Sequence, residues 1–369
     1  MNASMDSEGG PGPVSVSEEA GWRLAQCGLR LEDGCLGYSR TSTVKPAVML
    51  SDGTKVAVKL FHVTHRKSSH DVPSIRQSVR PPVISPEEIA EYAREMNIAA
   101  GVDMNHPHLL RILSFSEVPR DWICCERFDA NLMSYIRATT PWRARSEYFV
   151  RILSPIGDAV DFLHAKNYVH KDIHSGHILV LRDFSRVVLT GLKLSKTLTD
   201  DGTFFSSAKR GQIQWMDPEC FDRNYAFESD VYSLGVVLGE LLTGKQPFHG
   251  EGHGVVITLK MRGEPPFSFS RDIRGRWRQT CELYDRATAV RIAEPEVSNA
   301  KRPARPRARE FVRDLLRAVK ADDNRRTREQ RRAEREMDEA EARAWDDAEG
   351  GRWGMAGGAK GDDGKCAVQ

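Results

Sequence analysis

No stretch of this 369-residue chain holds 18 consecutive apolar residues, so nothing in it reads as a membrane span. It lacks a C-x-x-C pair, and its seven cysteines are odd in number, with Cys124 and Cys125 adjacent inside an apolar run. These cysteines read as reduced intracellular thiols, neither a disulfide frame nor a zinc site. An excess of one charge is also missing. Lys plus Arg is 54 and Asp plus Glu is 52, a net charge of +2, so no global field draws the chain to nucleic acid. The first residues, Met1 to Gly21, carry neither a basic n-region nor an apolar h-region. They are acidic and rich in Gly, Pro and Ser, which reads as a disordered tail and points to a cytoplasmic chain. No internal repeat occurs.

What is present is a soluble balance, 40% hydrophobic and 29% charged, with patterning that changes along the chain. Val56 to Phe61 reads as a strand after the turn Ser51-Asp52-Gly53-Thr54. Ser85-Pro86-Glu87-Glu88 is a helix start, with Ile89, Tyr92, Met96 and Ala99 on one face of the helix that follows. Leu109 to Phe115 and Trp122 to Cys125 read as further strands. Helical spacing takes over in Phe149 to Ala165 and in the nearly all-apolar Ser229 to Thr243, which predicts a buried helix. Strands first and helices after give an α+β chain with two unlike halves. Arg271 to Arg309 is basic with weak periodicity. It reads as a loop insertion, either solvated or, through Lys301 to Arg307, a localisation patch. Arg325 to Asp347 is charged nearly all round, a solvated helix laced by i,i+4 pairs such as Arg332 with Glu336.

Several motifs then fall in a known order. They are Val56-Ala57-Val58-Lys59; His170-Lys171-Asp172 through Val180; Gly211 through Asp217-Pro218-Glu219; Ser229-Asp230 through Pro247-Phe248; and Asp322-Asp323-Asn324-Arg325-Arg326-Thr327. On these residues the chain resembles the protein kinase superfamily, in wording closest to its tyrosine-kinase-like Ser/Thr group. The resemblance runs from about Leu29 to Arg328. It implies a bilobal fold with a small, mainly β N-lobe and a larger, mainly α C-lobe. The implied layout is a tail at 1–21, the N-lobe and hinge at 22–128, the C-lobe at 129–329 with the insertion at about 271–309, and a charged helix and tail at 330–369.

The resemblance also implies roles. Lys59 would hold nucleotide phosphates, partnered by Glu95 or, in another register, Glu91. Val44, Ala57 and Leu179 would sandwich an adenine. Glu126 to Phe128 would form the hinge, with Cys125 as a small gatekeeper. Asp172 would sit at the base position, where a carboxylate accepts a substrate proton. Lys171 stands where Arg is commoner and would meet a phosphate as a point charge. Phosphate acceptors in the activation segment would be Thr197, Thr199, Thr203, Ser206 or Ser207, unless these are only a Ser/Thr-rich loop. Asp230 would brace the catalytic loop, and Glu219 with Arg326 would form a structural ion pair.

Other positions depart from the family's pattern. In the glycine loop, counted as Gly37 through Val44, only Gly37 survives. His177 replaces a metal-ligating Asn, and Gly191, in Gly191-Leu192-Lys193, replaces a metal-ligating Asp. Mg²⁺ prefers oxygen ligands, so both of its protein ligands are gone. Lys193 could supply some of the lost positive charge, and Leu192 keeps an apolar plug. Two functions follow. One is a catalytically impaired pseudokinase that binds ATP and acts on protein partners. The other is an active Ser/Thr kinase transferring the ATP γ-phosphate to protein. The last four residues, from Cys366 to Gln369, fit C-a-a-X. Cys366 would then carry a farnesyl group and give weak membrane association, the alternative being an unstructured tail with an exposed Cys.

Overall fold

The computed structural model describes residues 18–38, 42–61, 104–116, 121–138, 146–198, 204–205, 212–222, 224–290 and 305–354. The helix expected after Ser85, with Glu91 and Glu95, lies outside these residues. So do Thr199, Thr203, Ser206, Ser207 and Cys366.

The chain enters through helix α1 (Glu18–Gln26), whose Leu24 is buried while Trp22 faces solvent. Strands β1 (Leu29–Leu31), β2 (Gly37–Tyr38), β3 (Ser42–Met49), β4 (Lys55–Phe61), β5 (Ile112–Phe115) and β6 (Trp122–Glu126) make one antiparallel sheet. Its order is β1-β3-β4-β6-β5, with β2 on β3. Alternation in β4 explains the placement, because β-strands send successive side chains to opposite faces. Val56 and Val58 join Leu24, Leu29, Ala47, Trp122 and Cys124 in a buried cluster, and Lys59 and Ala57 point to the other face. The strand expected over Leu109 to Phe115 begins only at Ile112. Leu109 and Leu110 instead pair with Leu189 across the lobes: Leu110 N–H donates to Leu189 O at 2.9 Å, and Leu189 N–H to His108 O at 2.8 Å.

After β7 (Ala130–Asn131) and α2 (Leu132–Ala138) the fold is mainly helical. Helix α3 (Glu147–Ala165) buries Phe149, Ile152, Leu153, Ile156, Val160 and Leu163, the helical stripe read from sequence. Short strands β8 (Tyr168–Val169), β9 (Ile178–Val180), β10 (Val187–Leu189) and β11 (Lys196–Thr197) carry the loops between the lobes, and β12 (Phe204–Phe205) pairs with β13 (Asn224–Tyr225). Helix α4 (Phe227–Thr243) is buried from Ser229 to Thr243 and closes on Gly244 at φ +66°, the left-handed stop that glycine allows.

The loop reading of Arg271 to Arg309 is corrected for its first half. After α5 (His253–Met261), helices α6 (Arg271–Arg276) and α7 (Arg278–Ala287) occupy it. Cys281, Leu283 and Tyr284 are buried in the core shared with α4, and Trp277 is buried with its ring 4.9 Å from that of Phe149 on α3. The stripe was hidden because Arg278, Glu282, Asp285 and Arg286 are interspersed with the apolar residues of a short helix. Gly239 of α4 packs so closely that a Cβ there would lie 2.8 Å from Tyr284. Helix α8 (Ala308–Gly354) begins in this compact unit, which ends at Val319, and buries Phe311, Leu315 and Val319. From Lys320 the helix forms a second unit, exposed through its middle and laced by pairs such as Arg332–Glu336 at 2.7 Å. Among the described residues, no helix is long and apolar enough to cross a membrane.

Candidate active site

The cleft between the sheet and the helical lobe gathers most of the residues singled out in the sequence. β4 supplies Ala57 and Lys59, and Ala57 pairs with Cys125 while Lys59 pairs with Val44 on its other side. Gly37 pairs with the same Val44 from β2. Leu179 stands on β9 opposite Asn131 and Val188. Lys59, Ile112, Ile123, Cys125, Gly191 and Leu192 line one small cavity. Leu192 is buried there as an apolar plug.

Glu126 ends β6. Its backbone N–H donates to Arg111 O at 3.2 Å, and its carboxylate meets Arg186 at 2.6 Å. Arg186 also lies over the ring of the buried Phe128, 5.9 Å from its centroid. The strand end is thus held by charge on one side and by an aromatic ring on the other.

Asp230, at the start of α4, organises the loop that carries Asp172. Its carboxylate accepts from the backbone N–H of His170 at 2.8 Å and of Lys171 at 3.0 Å, and it meets His164 Nε2 at 2.9 Å. Burial pushes the Asp230 carboxyl up, but His164 and the His170 contacts outweigh burial and hold it below the usual range. These anchors hold Lys171 at φ +70°, a conformation that costs a non-glycine residue energy. The Lys171 ammonium lies 4.2 Å from the centroid of Tyr225. Thr197, the one phosphate candidate within the described residues, is exposed on β11.

Asp172 is buried, and Gln212 N–H donates to it at 3.2 Å. Burial raises its carboxyl, but the neighbouring His177, His174 and His170 and the Gln212 contact bring it below the usual value. Three imidazoles therefore crowd one carboxylate. His170 Nε2 faces Thr190 O at 3.0 Å. His174 Nδ1 accepts from Gly176 N–H at 3.0 Å, and burial drives His174 down to about 3, so its ring is neutral. His177 Nδ1 faces Asp172 O at 2.8 Å and lies 3.5 Å from the Asp172 carboxylate. Ligand atoms of Asp172, His174 and His177 all lie within 4.8 Å of one another. The sequence reading noted His177 as a substitution and passed over His174. The signal was there in the spacing: Asp172, His174 and His177 fall in one tight turn.

Gly191 sits directly under His177. It has φ +91°, and a Cβ built on it would collide with His177 Nδ1 and lie 2.8 Å from Cγ of the same ring. The imidazole occupies the space that a side chain at 191 would need.

The loop is tied to the helical lobe by Glu240, which accepts from Ser175 Oγ and Trp215 Nε1, both at 2.8 Å. Burial pushes this carboxyl from its ordinary 4.5 up to about 8. The folded chain therefore binds a proton that the unfolded chain releases above pH 4.5. The stabilisation is full below that value and is lost as pH rises through 8. The Tm advantage of the natural chain over Glu240→Gln should shrink between pH 5 and 8, and parallel Tm curves for the two proteins would count against this placement.

Glu219 lies 3.7 Å from Arg305, and Arg326 bonds Asp323 on its own helix. Arg305 is buried and forks onto Asp217, with Nη1–Oδ2 at 2.5 Å and Nη2–Oδ1 at 3.1 Å. Sequence reading placed Arg305 in a basic loop. The Arg-Pro step just before the Phe311, Leu315, Val319 stripe was the usable sign, since Pro favours a helix start.

Comparison with known proteins agrees with this architecture. The family model for the protein kinase domain matches residues 32–333. The chain belongs to the protein kinase family. It is 28% identical over 193 residues to the serine/threonine-protein kinase PknJ of Mycobacterium bovis, covering 50% of this chain and 32% of that protein. It is 26% identical over 245 residues to the serine/threonine-protein kinase fray2 of Dictyostelium discoideum, covering 66% and 22%. Wall-associated receptor kinase-like 17 of Arabidopsis thaliana is 30% identical over 231 residues, covering 58% and 25%. This kinase domain spans about a third or less of the curated relatives it matches. Its relatives are Ser/Thr kinases, and the family binds ATP, generally with Mg²⁺, and acts on proteins.

Proposed function

We propose that this kinase domain is a pseudokinase that binds ATP without Mg²⁺ and works by engaging a protein partner. One observation carries the reading: the His177 ring fills the space over Gly191, so the two positions that would offer Mg²⁺ an oxygen offer an imidazole and no side chain. Mg²⁺ is a hard ion that favours oxygen ligands, and these groups do not fit it. In this reading Lys59, with Glu95, receives the phosphates; Val44, Ala57 and Leu179 enclose the adenine; and Glu126 to Phe128 present the backbone to its edge. Lys171 and Asp172 keep their places as parts of the Asp230-braced loop.

Retention of Asp172, ionised and ordered by Gln212, supports a second reading, an active Ser/Thr kinase. A thermal shift assay with ATP separates the two. Saturating nucleotide, at about 100 times Kd, stabilises by roughly 2.7 kcal/mol and raises Tm by several degrees. The expected shift occurs equally with and without Mg²⁺. A shift that requires Mg²⁺, together with phosphate transfer abolished by Asp172→Asn, would establish the active kinase instead.

A further inference from the structure

We propose that Asp172, His174 and His177 together hold a divalent ion of the zinc class. Two imidazoles and one carboxylate form a recurrent three-ligand set for zinc, leaving a fourth tetrahedral position for water or a phosphate oxygen. The same set is unsuited to Mg²⁺, whose ligands are oxygens. One ring nitrogen of each histidine and a carboxylate oxygen of Asp172 lie within 4.8 Å of one another, and His177 Nδ1 is 3.5 Å from that carboxylate. Bonds of about 2.0–2.2 Å to a common tetrahedral ion place ligand atoms about 3.4 Å apart, so closure takes side-chain movement.

The surroundings orient the rings. His177 Nδ1 lies 2.8 Å from the Asp172 backbone oxygen. With its proton directed there, Nε2 keeps a free lone pair. A backbone carbonyl on the far nitrogen of a ligating histidine is a common support, and it fixes the tautomer. The rings of His174 and His177 pack at a tilt of 40° with centroids 4.0 Å apart, and the Trp215 ring lies 5.6 Å from that of His174. His174 Nδ1 accepts from Gly176 N–H, so ligation through its Nε2 requires the proton to shift to Nδ1 and displaces that contact. One neutral hydrogen bond is exchanged for a metal–nitrogen bond. Gly191 contributes by what it omits, because a side chain there would push the His177 ring aside.

The consequence builds on the pseudokinase reading, although the binding itself does not depend on it. An ion on the Asp172 carboxylate takes the lone pair that proton abstraction would use. Zinc therefore holds the loop in a form that can contact phosphates and cannot act as a base.

The test uses the full chain after removal of metal by a chelator and dialysis. Zinc is titrated by calorimetry without nucleotide, and cobalt is titrated by visible absorption. The expected result is one equivalent bound, with tetrahedral cobalt bands and no thiolate charge-transfer band. His177→Asn and Asp172→Asn should each weaken binding by about 100-fold. Both are small changes, and each variant's fold is checked by its unfolding curve. Cys27→Ser with Cys35→Ser, which removes two exposed thiols, should change nothing. Absence of uptake would overturn the proposal, as would uptake insensitive to both variants or lost with the two cysteines. ATP is titrated separately into metal-free protein. ATP binding without zinc binding sinks the zinc site alone, and zinc binding without ATP binding sinks the nucleotide reading alone.

Discussion

Gly191→Asp on its own should lower Tm and leave phosphate transfer at its starting level, whereas Gly191→Asp combined with His177→Asn should raise Mg²⁺-dependent transfer by roughly 10³-fold. The backbone at 191 is not the main obstacle. Its φ of +91° is unfavourable for most residues, but Asp tolerates left-handed conformations better than other side chains. The obstacle is the neighbour. A Cβ at 191 meets Nδ1, Cε1 and Cγ of His177, and that ring is held by Asp172 O and packed at a tilt against the ring of His174. The single variant must therefore displace a fixed aromatic ring before its carboxylate can reach a metal. The double variant removes the ring and supplies two oxygen-bearing side chains at once. Metal neutralisation of a transferring phosphoryl group contributes several kcal/mol, and each 1.36 kcal/mol is tenfold in rate, which sets the size of the expected gain. A radiolabelled ATP assay on both variants decides it. Equal activity in the single and double variants would mean that His177 does not control the position at 191.

This coupling explains what the sequence could and could not convey. His177 and Gly191 were legible as two separate losses, because each departs from a motif at a fixed position. That they form one interlocked arrangement was not legible, since they are 14 positions apart and only the packing of the β9–β10 hairpin brings one onto the other. The lobes were legible for a related reason. Val56 to Phe61 is a short, almost wholly apolar run after a turn and the Ser229 to Thr243 segment is nearly all apolar, and each pattern has one economical burial. Trp277 to Tyr284 escaped notice because its apolar residues lie among Arg278, Glu282 and Asp285, and charge density masked a buried face. The three-histidine environment of Asp172 needed the turn to be folded before its members could be seen as neighbours.

Arg305 gives the largest expected loss of stability. Its guanidinium donates to Asp217 through both terminal nitrogens, to Ala289 O from Nε at 3.0 Å and Nη2 at 2.7 Å, and to Glu228 O at 3.3 Å. It also lies over the Tyr232 ring at 5.1 Å. Its side chain and that of Asp217 are each 2% exposed. Replacing a buried pair by matched apolar residues can be neutral, but removing one member strands the other without solvent. That costs about 3–5 kcal/mol. At about 2–4 °C per kcal/mol for a large domain, Arg305→Ala should lower Tm by roughly 10 °C. Asp217→Ala with Arg305→Ala should cost less than the sum of the two single changes, because the second removal relieves the charge stranded by the first. A Tm loss of less than about 2 °C in Arg305→Ala would count against this anchor. The expected outcome places the anchor of the Asp217-Pro218-Glu219 segment at the Arg-Pro step before α8, where the guanidinium joins that segment to α4 and to the end of α7.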